Sequence, residues 1–136
     1  MDRKELTSEL SVGEQINPDD LQILSDSGFR SIICNRPDGE SSDQPTFAQI
    51  STAAKAINME AKYLPVVPGK ITSQDVEDFS AALLELPHPT FAYCRTGFRS
   101  KKLWSLNQPN NNALLGLLSN AKGAVAGLLQ ALRRNT

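Results

Sequence analysis

The chain has 136 residues, of which 40% are apolar and 21% are charged, a composition typical of one soluble globular domain with a single core. The formal net charge of −1 provides no electrostatic footprint for binding nucleic acid or an anionic membrane surface. No apolar run approaches the ~18 residues of a membrane span, the first residues lack the apolar core of a signal peptide, and two cysteines make no disulfide framework, so a cytoplasmic location is expected.

The first part of the chain predicts a short strand, a helix and a buried strand. Residues 10–12 predict a strand at the edge of a sheet. Asn17 as N-cap and Pro18 in the first helical position predict a helix that Gly28 ends. Residues 30–34 are rich in β-branched side chains and predict a buried strand.

Residues 46–93 likewise predict helices and strands in alternation. Residues 46–57 predict a helix, and residues 62–67 predict a third strand. Thr72 as N-cap, with Asp75 three residues later, predicts a capping box at the start of another helix. Residues 90–93 predict a buried strand. Strands that alternate with helices indicate an α/β domain with a mostly parallel central sheet, flanked by helices, over residues 1–108.

A C-terminal extension is predicted for residues 109–136. Apolar residues recur with helical spacing in 113–118 and again in 125–132. The sequence therefore predicts helices that pack on the domain, or that contact a second copy of the chain or another partner. A helix lying on a membrane surface is the alternative, because Arg133 and Arg134 follow the apolar stretch.

Residues 94–100, named here the cysteine loop, carry the strongest chemical signal. Cys94 follows the strand 90–93, and a helix is predicted to start at Ser100, so the helix N-terminus favours an anion and a thiolate near Cys94. Arg99 adds a planar fork of donors for a tetrahedral oxyanion. The sequence predicts Cys94 and Arg99 as catalytic residues, with anion binding by the rest of the loop: Arg95, Thr96, Gly97, Phe98 and Ser100. The alternative is a buried, inert cysteine.

The cysteine loop resembles the active-site loop of single-domain rhodaneses. The whole chain resembles a bacterial family, the β-lactamase-hydrolase-like, phosphatase-like domains. The stretches that carry this resemblance are residues 10–13, 28–40, 63–69 and the cysteine loop, and together they span about residues 6–108. The resemblance implies the fold of protein-tyrosine and dual-specificity phosphatases.

Four further residues are candidates for a supporting role in the site. Asn35, Arg36 and Asp38 follow a strand at the predicted ligand-binding edge of the sheet, where they serve either turn formation or the site itself. Cys34 is either a small buried hydrophobe or a redox partner of Cys94. The chain has one histidine and no cluster of metal-ligand residues, so neither a metal nor a cofactor is predicted.

Two kinds of reaction are compatible with the cysteine loop. The loop is one residue shorter than the H-C-x5-R loop of the phosphatases, and residues 67–70 hold no acid where those enzymes place their proton donor. The sequence therefore favours a rhodanese-type sulfurtransferase, which takes sulfur from thiosulfate or a persulfide through a Cys94 persulfide. The first alternative is a phosphatase that hydrolyses phosphoesters through a Cys94 phosphocysteine. The second is a non-catalytic, anion-binding interaction module.

Overall fold

A computed structural model describes residues 1–109 of the chain. Most of the extension predicted for residues 109–136 therefore lies outside the described residues, and its predicted packing stays a prediction. The described residues form five strands and four helices, which in chain order are β1 (Arg3–Thr7), β2 (Leu10–Gly13), α1 (Asp20–Asp26), β3 (Ser31–Cys34), α2 (Phe47–Ala56), β4 (Glu60–Tyr63), α3 (Ser73–Glu85), β5 (Thr90–Tyr93) and α4 (Phe98–Leu106).

The strands form one sheet in the order β1-β2-β5-β3-β4. Strands β2, β5, β3 and β4 are parallel, and β1 is antiparallel to β2, so the predicted mostly parallel sheet is confirmed. In the central pairing Ser31 lies opposite Thr90, and Cys34 lies opposite Tyr93. The strand that ends at the cysteine loop is therefore the middle strand of the sheet.

Strand β1 is absent from the sequence-based prediction. Its sequence, Arg-Lys-Glu-Leu-Thr, has one apolar residue, and four of its five residues are exposed. The strand forms because it pairs with β2, with Lys4 opposite Val12. Its charged side chains suit the edge of a sheet, where they discourage pairing with another chain.

Two apolar clusters fill the two sides of the sheet. The first joins Leu21 and Leu24 of α1 and Ile50 of α2 to β3 and β5. The second joins Phe79 of α3 and Leu103 of α4 to β2, β3 and β5. The fold is thus a three-layer α/β/α domain, and the central strands are buried on both faces, as their continuous apolar runs predict.

Two of the predicted helix starts are confirmed and one is shifted. Thr46 and Thr72 each cap a helix through a complete capping box, α2 and α3 respectively. The predicted N-cap role of Asn17 is wrong, because α1 begins only at Asp20 and Asp19 occupies the N-cap position. Gly28 ends α1 as predicted, with a positive φ of 100°.

Two boundaries near the cysteine loop also differ from prediction. The strand predicted for residues 62–67 is β4, which covers Glu60–Tyr63. Its regular pairing ends before Pro65, because proline has no backbone N–H to donate. The backbone still pairs irregularly beyond that point, with Val66 N–H on the Asn35 carbonyl at 2.9 Å. Helix α4 begins at Phe98 rather than Ser100, since Gly97 serves as its N-cap.

The carboxyl ends of β3, β4 and β5 meet at one edge of the sheet, as their parallel arrangement requires. Along residues 1–109, no helix has both the length and the apolar character to cross a membrane.

Candidate active site

Cys94 lies immediately after the central strand β5 and is 1% exposed. Its Sγ accepts a hydrogen bond from the backbone N–H of Gly97 at 3.1 Å. This contact forms because Gly97 adopts φ 96°, a left-handed conformation that turns the chain sharply into α4. The cysteine sulfur is thereby held at the amino end of a helix.

The cysteine loop sits against the end of strand β2. The Cys94 N–H points to the Gly13 carbonyl at 3.4 Å, and Gln15 N–H donates to the Arg95 carbonyl at 3.3 Å. A Cβ atom on Gly97 would lie 3.3 Å from the backbone of Gly13. Both the backbone conformation and the available space therefore require glycine at position 97.

Replacing Gly97 by alanine is expected to lower the free energy of unfolding by about 1–2 kcal/mol, the usual cost of a left-handed conformation for a residue with a Cβ. The replacement should also lower the activity of the site, because it displaces the N–H that contacts the Cys94 sulfur. Chemical denaturation and turnover of the same preparation measure the two effects.

Gly28→Ala is the matched control for this variant. Gly28 has a similar φ of 100°, and a Cβ there would meet nothing within 4 Å. We expect Gly28→Ala to lose stability through its backbone conformation alone, and therefore less than Gly97→Ala, and to keep its turnover. Equal turnover in the two variants would show that the geometry of residue 97 does not matter to the site.

Arg99 is buried in the first turn of α4 and is held by three hydrogen bonds. Its Nη1 donates to Glu40 Oε2 at 2.7 Å and to the Val66 carbonyl at 2.8 Å, and its Nη2 donates to Glu40 Oε1 at 2.9 Å. The bidentate pair with Glu40 fixes the plane of the guanidinium. The pKa of Arg99 is raised, chiefly by Glu40, and the nearby Cys94 contributes in the same direction.

Glu40 also binds a second arginine. Arg36 Nε donates to Glu40 Oε1 at 3.0 Å, and Arg36 Nη1 donates to Gln15 Oε1 at 3.0 Å. These arginines hold the pKa of Glu40 below its usual value, with the Arg99 hydrogen bond as the largest cause. The carboxylate is therefore ionised at neutral pH, and the three side chains together carry one net positive charge.

Ser100 and Asn35 form a second link between the cysteine loop and β3. Ser100 Oγ donates to Asn35 Oδ1 at 2.8 Å, and Asn35 Nδ2 donates to the Leu64 carbonyl at 2.9 Å. Ser100 lies inside α4, which starts two residues earlier, and its predicted part in anion binding stays a prediction. Asn35 is instead a buried connector that fixes α4 relative to two strand ends.

Asp38 and Cys34, two of the candidate supporting residues, form hydrogen bonds with other parts of the chain. The Asp38 carboxylate accepts the N–H of Phe47 at 2.9 Å, so it stabilises the amino end of α2. Cys34 belongs to the first apolar cluster, and its thiol donates to the Arg36 carbonyl at 3.2 Å. Burial raises the pKa of the Cys34 thiol. Cys34 and Cys94 are both buried and free, with no disulfide between them, and a redox partnership of the two stays a prediction.

The outer residues of the cysteine loop face solvent. Arg95 and Thr96 are exposed, and Phe98 is 70% exposed, which is unusual for a phenylalanine. Together with Arg99 they line a cleft beside α4. Among residues 1–109, no three His, Cys, Asp or Glu side chains come together in a way that could hold a metal ion.

Sequence reasoning missed Glu40 and Gln15 as members of the site. One signal for Glu40 was present: Arg36 and Glu40 are spaced so that they can pair within one turn. A second signal is chemical, because a buried arginine that must hold one orientation needs a carboxylate partner. Gln15 carries no comparable signal, since its role depends on where β2 ends.

Comparison with known proteins identifies relatives over most of the described chain. A profile of the family described as "Beta-lactamase hydrolase-like protein, phosphatase-like domain" matches residues 2–111. A beta-lactamase hydrolase-like protein from Agrobacterium fabrum is 36% identical over 103 residues, which are 76% of this chain and 24% of that protein. The chain thus corresponds to a minor part of the curated relatives that it matches.

Solved structures support the same assignment. A crystal structure of a candidate phosphatase from Neisseria meningitidis has a TM-score of 0.73 and 34% identity, covering 77% of this chain and 75% of that one. The core catalytic domain of a PP-IP phosphatase from S. cerevisiae has a TM-score of 0.63 at 12% identity, covering 90% and 75%, and shows similarity of fold alone. The predicted phosphatase-like fold is confirmed, and the comparisons favour the phosphatase alternative over sulfur transfer.

Proposed function

Because the chain belongs to the family of beta-lactamase hydrolase-like, phosphatase-like domains, we propose that it is a cysteine-dependent phosphatase. In this proposal Cys94 is the nucleophile, and Arg99 binds the phosphoryl oxygens. The backbone N–H groups of the cysteine loop complete the anion site, with Gly97 closest to the sulfur. The substrate is a small anionic phosphoester.

The orientation of Arg99 carries the proposal. Three of its five N–H groups bind Glu40 and Val66, which leaves two donors of a planar fork for an anion beside Cys94. The net positive charge of Arg36, Glu40 and Arg99 favours an anionic ligand. Donors that are fixed before the reaction stabilise the developing charge without reorganisation.

The reaction proceeds in two steps. The Cys94 thiolate attacks phosphorus, the S–P bond forms, and the P–O bond to the leaving group breaks with its electron pair staying on oxygen. Water then attacks phosphorus, a new P–O bond forms, and the S–P bond breaks with its electron pair on sulfur. This step restores the Cys94 thiolate and releases inorganic phosphate, which keeps the two protons of the water. Arg99 binds the equatorial oxygens of phosphorus in both steps, where the negative charge is spread.

The acids near the site restrict the leaving group. Glu40 is held ionised by two arginines, and Asp38 and Asp75 each bind a backbone N–H at a helix start. The pKa of Asp43 is also lowered, chiefly by the hydrogen bond from Ser41, and Arg36 and Arg95 contribute in the same direction, so this acid is ionised at neutral pH as well. Residues 67–70 hold no acid. We therefore propose that the substrates are aryl phosphates, since a phenolate departs without the protonation that an alkoxide requires.

Sulfur transfer is the second candidate function, and the same observation favours it. Sulfite leaves thiosulfate without a proton, so an anion site without a proton donor suits both reactions. The cysteine loop also keeps the shorter spacing that resembles rhodaneses. The two functions differ in the group that Cys94 carries, which is phosphoryl in one case and a single sulfur atom in the other.

The experiment presents the protein separately with phenyl phosphate, phosphoserine, and thiosulfate plus cyanide. We expect kcat/KM for phenyl phosphate to exceed that for phosphoserine by at least about 10²-fold, the lower end of what general acid catalysis contributes. Rapid acid quenching followed by mass spectrometry should find a phosphoryl group on Cys94.

The other outcomes each identify a different function. Thiocyanate formation, with one added sulfur atom on Cys94 and no phosphate release, would establish sulfur transfer. Fast phosphoserine hydrolysis that falls about 100-fold in Asp38→Asn would show that Asp38 donates a proton during turnover. No reaction with any substrate, together with measurable binding of phosphate, would support an anion-binding interaction module.

A further inference from the structure

A cleft of about 520 Å³ opens beside the cysteine loop, between α4 and the segment that follows β4. This volume suits one small organic group. Its apolar walls come from Pro68, Ile71, Phe98 and Leu106. Arg99 also lines the cleft, so the cleft begins where the phosphoryl group would bind.

Two cations face the same cleft. Arg95 and Lys102 line it, and both residues are exposed. Neither makes an ion pair with a carboxylate in the part of the chain that the structure describes. Arg99 differs from them, because it forms an ion pair with Glu40. Asp43 attracts Arg95, but at a distance longer than that of an ion pair. The cleft therefore combines apolar walls with two cations that no carboxylate of the described residues holds in an ion pair.

We propose that this cleft receives the leaving group of the substrate, and that Arg95 and Lys102 select an aryl phosphate that carries a second anionic group. The inference rests on the proposed phosphatase function and specifies its substrate class. Apolar walls and the 70% exposed ring of Phe98 fit an aromatic ring. The two cations fit a carboxylate or phosphate on that ring.

Two substrates that differ in charge test this selection. The ratio of kcat/KM for 4-carboxyphenyl phosphate to that for 4-carbamoylphenyl phosphate isolates the second anion, because the two rings are nearly equal in shape. The carbamoyl group withdraws electrons more strongly, so a preference for the carboxylate cannot arise from a better leaving group. At low ionic strength we expect a preference of about 3- to 10-fold, as one or two partly exposed ion pairs provide.

Lys102→Gln should lower this ratio toward 1, because only Arg95 then remains to bind the second anion, and 0.5 M salt should lower it in the wild-type protein. Lys101→Gln is the matched control, since Lys101 precedes Lys102 in α4 but lies near Lys4 and outside the cleft. It removes the same charge and should keep the ratio.

Hydrolysis of both substrates at equal kcat/KM by the wild-type protein would overturn the selection and leave the phosphatase function standing. An equal fall of the ratio in Lys101→Gln and Lys102→Gln would also overturn it, because overall charge would then explain the preference. If the wild-type protein hydrolyses neither of these two substrates and does not hydrolyse phenyl phosphate, the proposed phosphatase function is wrong, and the selection that depends on it is wrong as well.

Discussion

Cys94→Ser is expected to lower phosphatase turnover by at least about 10³-fold while the protein stays folded. A serine hydroxyl is far less ionised than a thiol at neutral pH, so the nucleophile is lost. The fold should persist because serine is nearly the same size, and its Oγ can accept the Gly97 N–H that now binds the sulfur. Turnover and circular dichroism on the same sample measure both parts of the prediction.

Cys34→Ala is the matched control for the cysteine variant. Cys34 is the other cysteine, 2% exposed, and it packs in the first apolar cluster. Its loss should lower stability by removing buried contacts and should leave turnover within a few-fold of the wild-type value. If Cys94→Ser turns over at the wild-type rate, Cys94 is not the nucleophile. If Cys34→Ala is inactive but folded, the two cysteines act together.

Arg99→Lys is expected to lower kcat/KM by about 10²–10³-fold, the range found when one donor to a developing oxyanion is removed. Lysine keeps the positive charge but cannot donate from a planar fork, and its shorter reach cannot serve Glu40, Val66 and an anion together. The measurement is steady-state kinetics with phenyl phosphate. A loss below about 3-fold would mean that only the charge of Arg99 matters.

The Glu40→Gln variant tests whether Glu40 acts by orienting Arg99 or by contacting the substrate itself. Glutamine accepts one hydrogen bond from Arg99 but has no charge, so we expect a smaller loss of kcat/KM than for Arg99→Lys.

The Glu40–Arg99 pair also makes the stability of the fold depend on pH. Because Arg99 lowers the pKa of Glu40, the pair stabilises the fold above the unfolded carboxyl pKa of about 4.3. This stabilisation disappears only as the pH falls through the lower folded value, and Glu40→Gln should remove that dependence.

Local signals in the sequence predict most of the layers of the fold. The capping box at Thr72 and the helix start at Thr46 depend on neighbouring residues only, so both are predicted from the chain and confirmed by the structure. The continuous apolar runs of β3 and β5 likewise show that both faces of these strands are covered. Strand β1 is not predictable in this way, because its polar sequence is ordered by pairing with β2.

The candidate site is predictable only in its local part. Cys94, Gly97 and Arg99 lie within six residues of one another, and the change from strand to helix brings them together. Glu40 lies 59 residues before Arg99, and no periodicity connects the two. The role of Asp38 was ambiguous for a related reason, since a carboxylate in a turn can serve catalysis or a helix start.

Because Glu40 pairs with Arg99, the side-chain entropy of Arg99 is lost when the chain folds and not when a ligand binds. A free arginine side chain gives up about 1.5–2 kcal/mol of rotamer freedom when it is fixed in one position. Here Glu40 and the Val66 carbonyl fix it as the chain folds, so an arriving anion meets a preorganised fork and does not bear that loss. The turn between β3 and α2, remote from the cysteine in sequence, therefore contributes to ligand affinity without a need to touch the ligand.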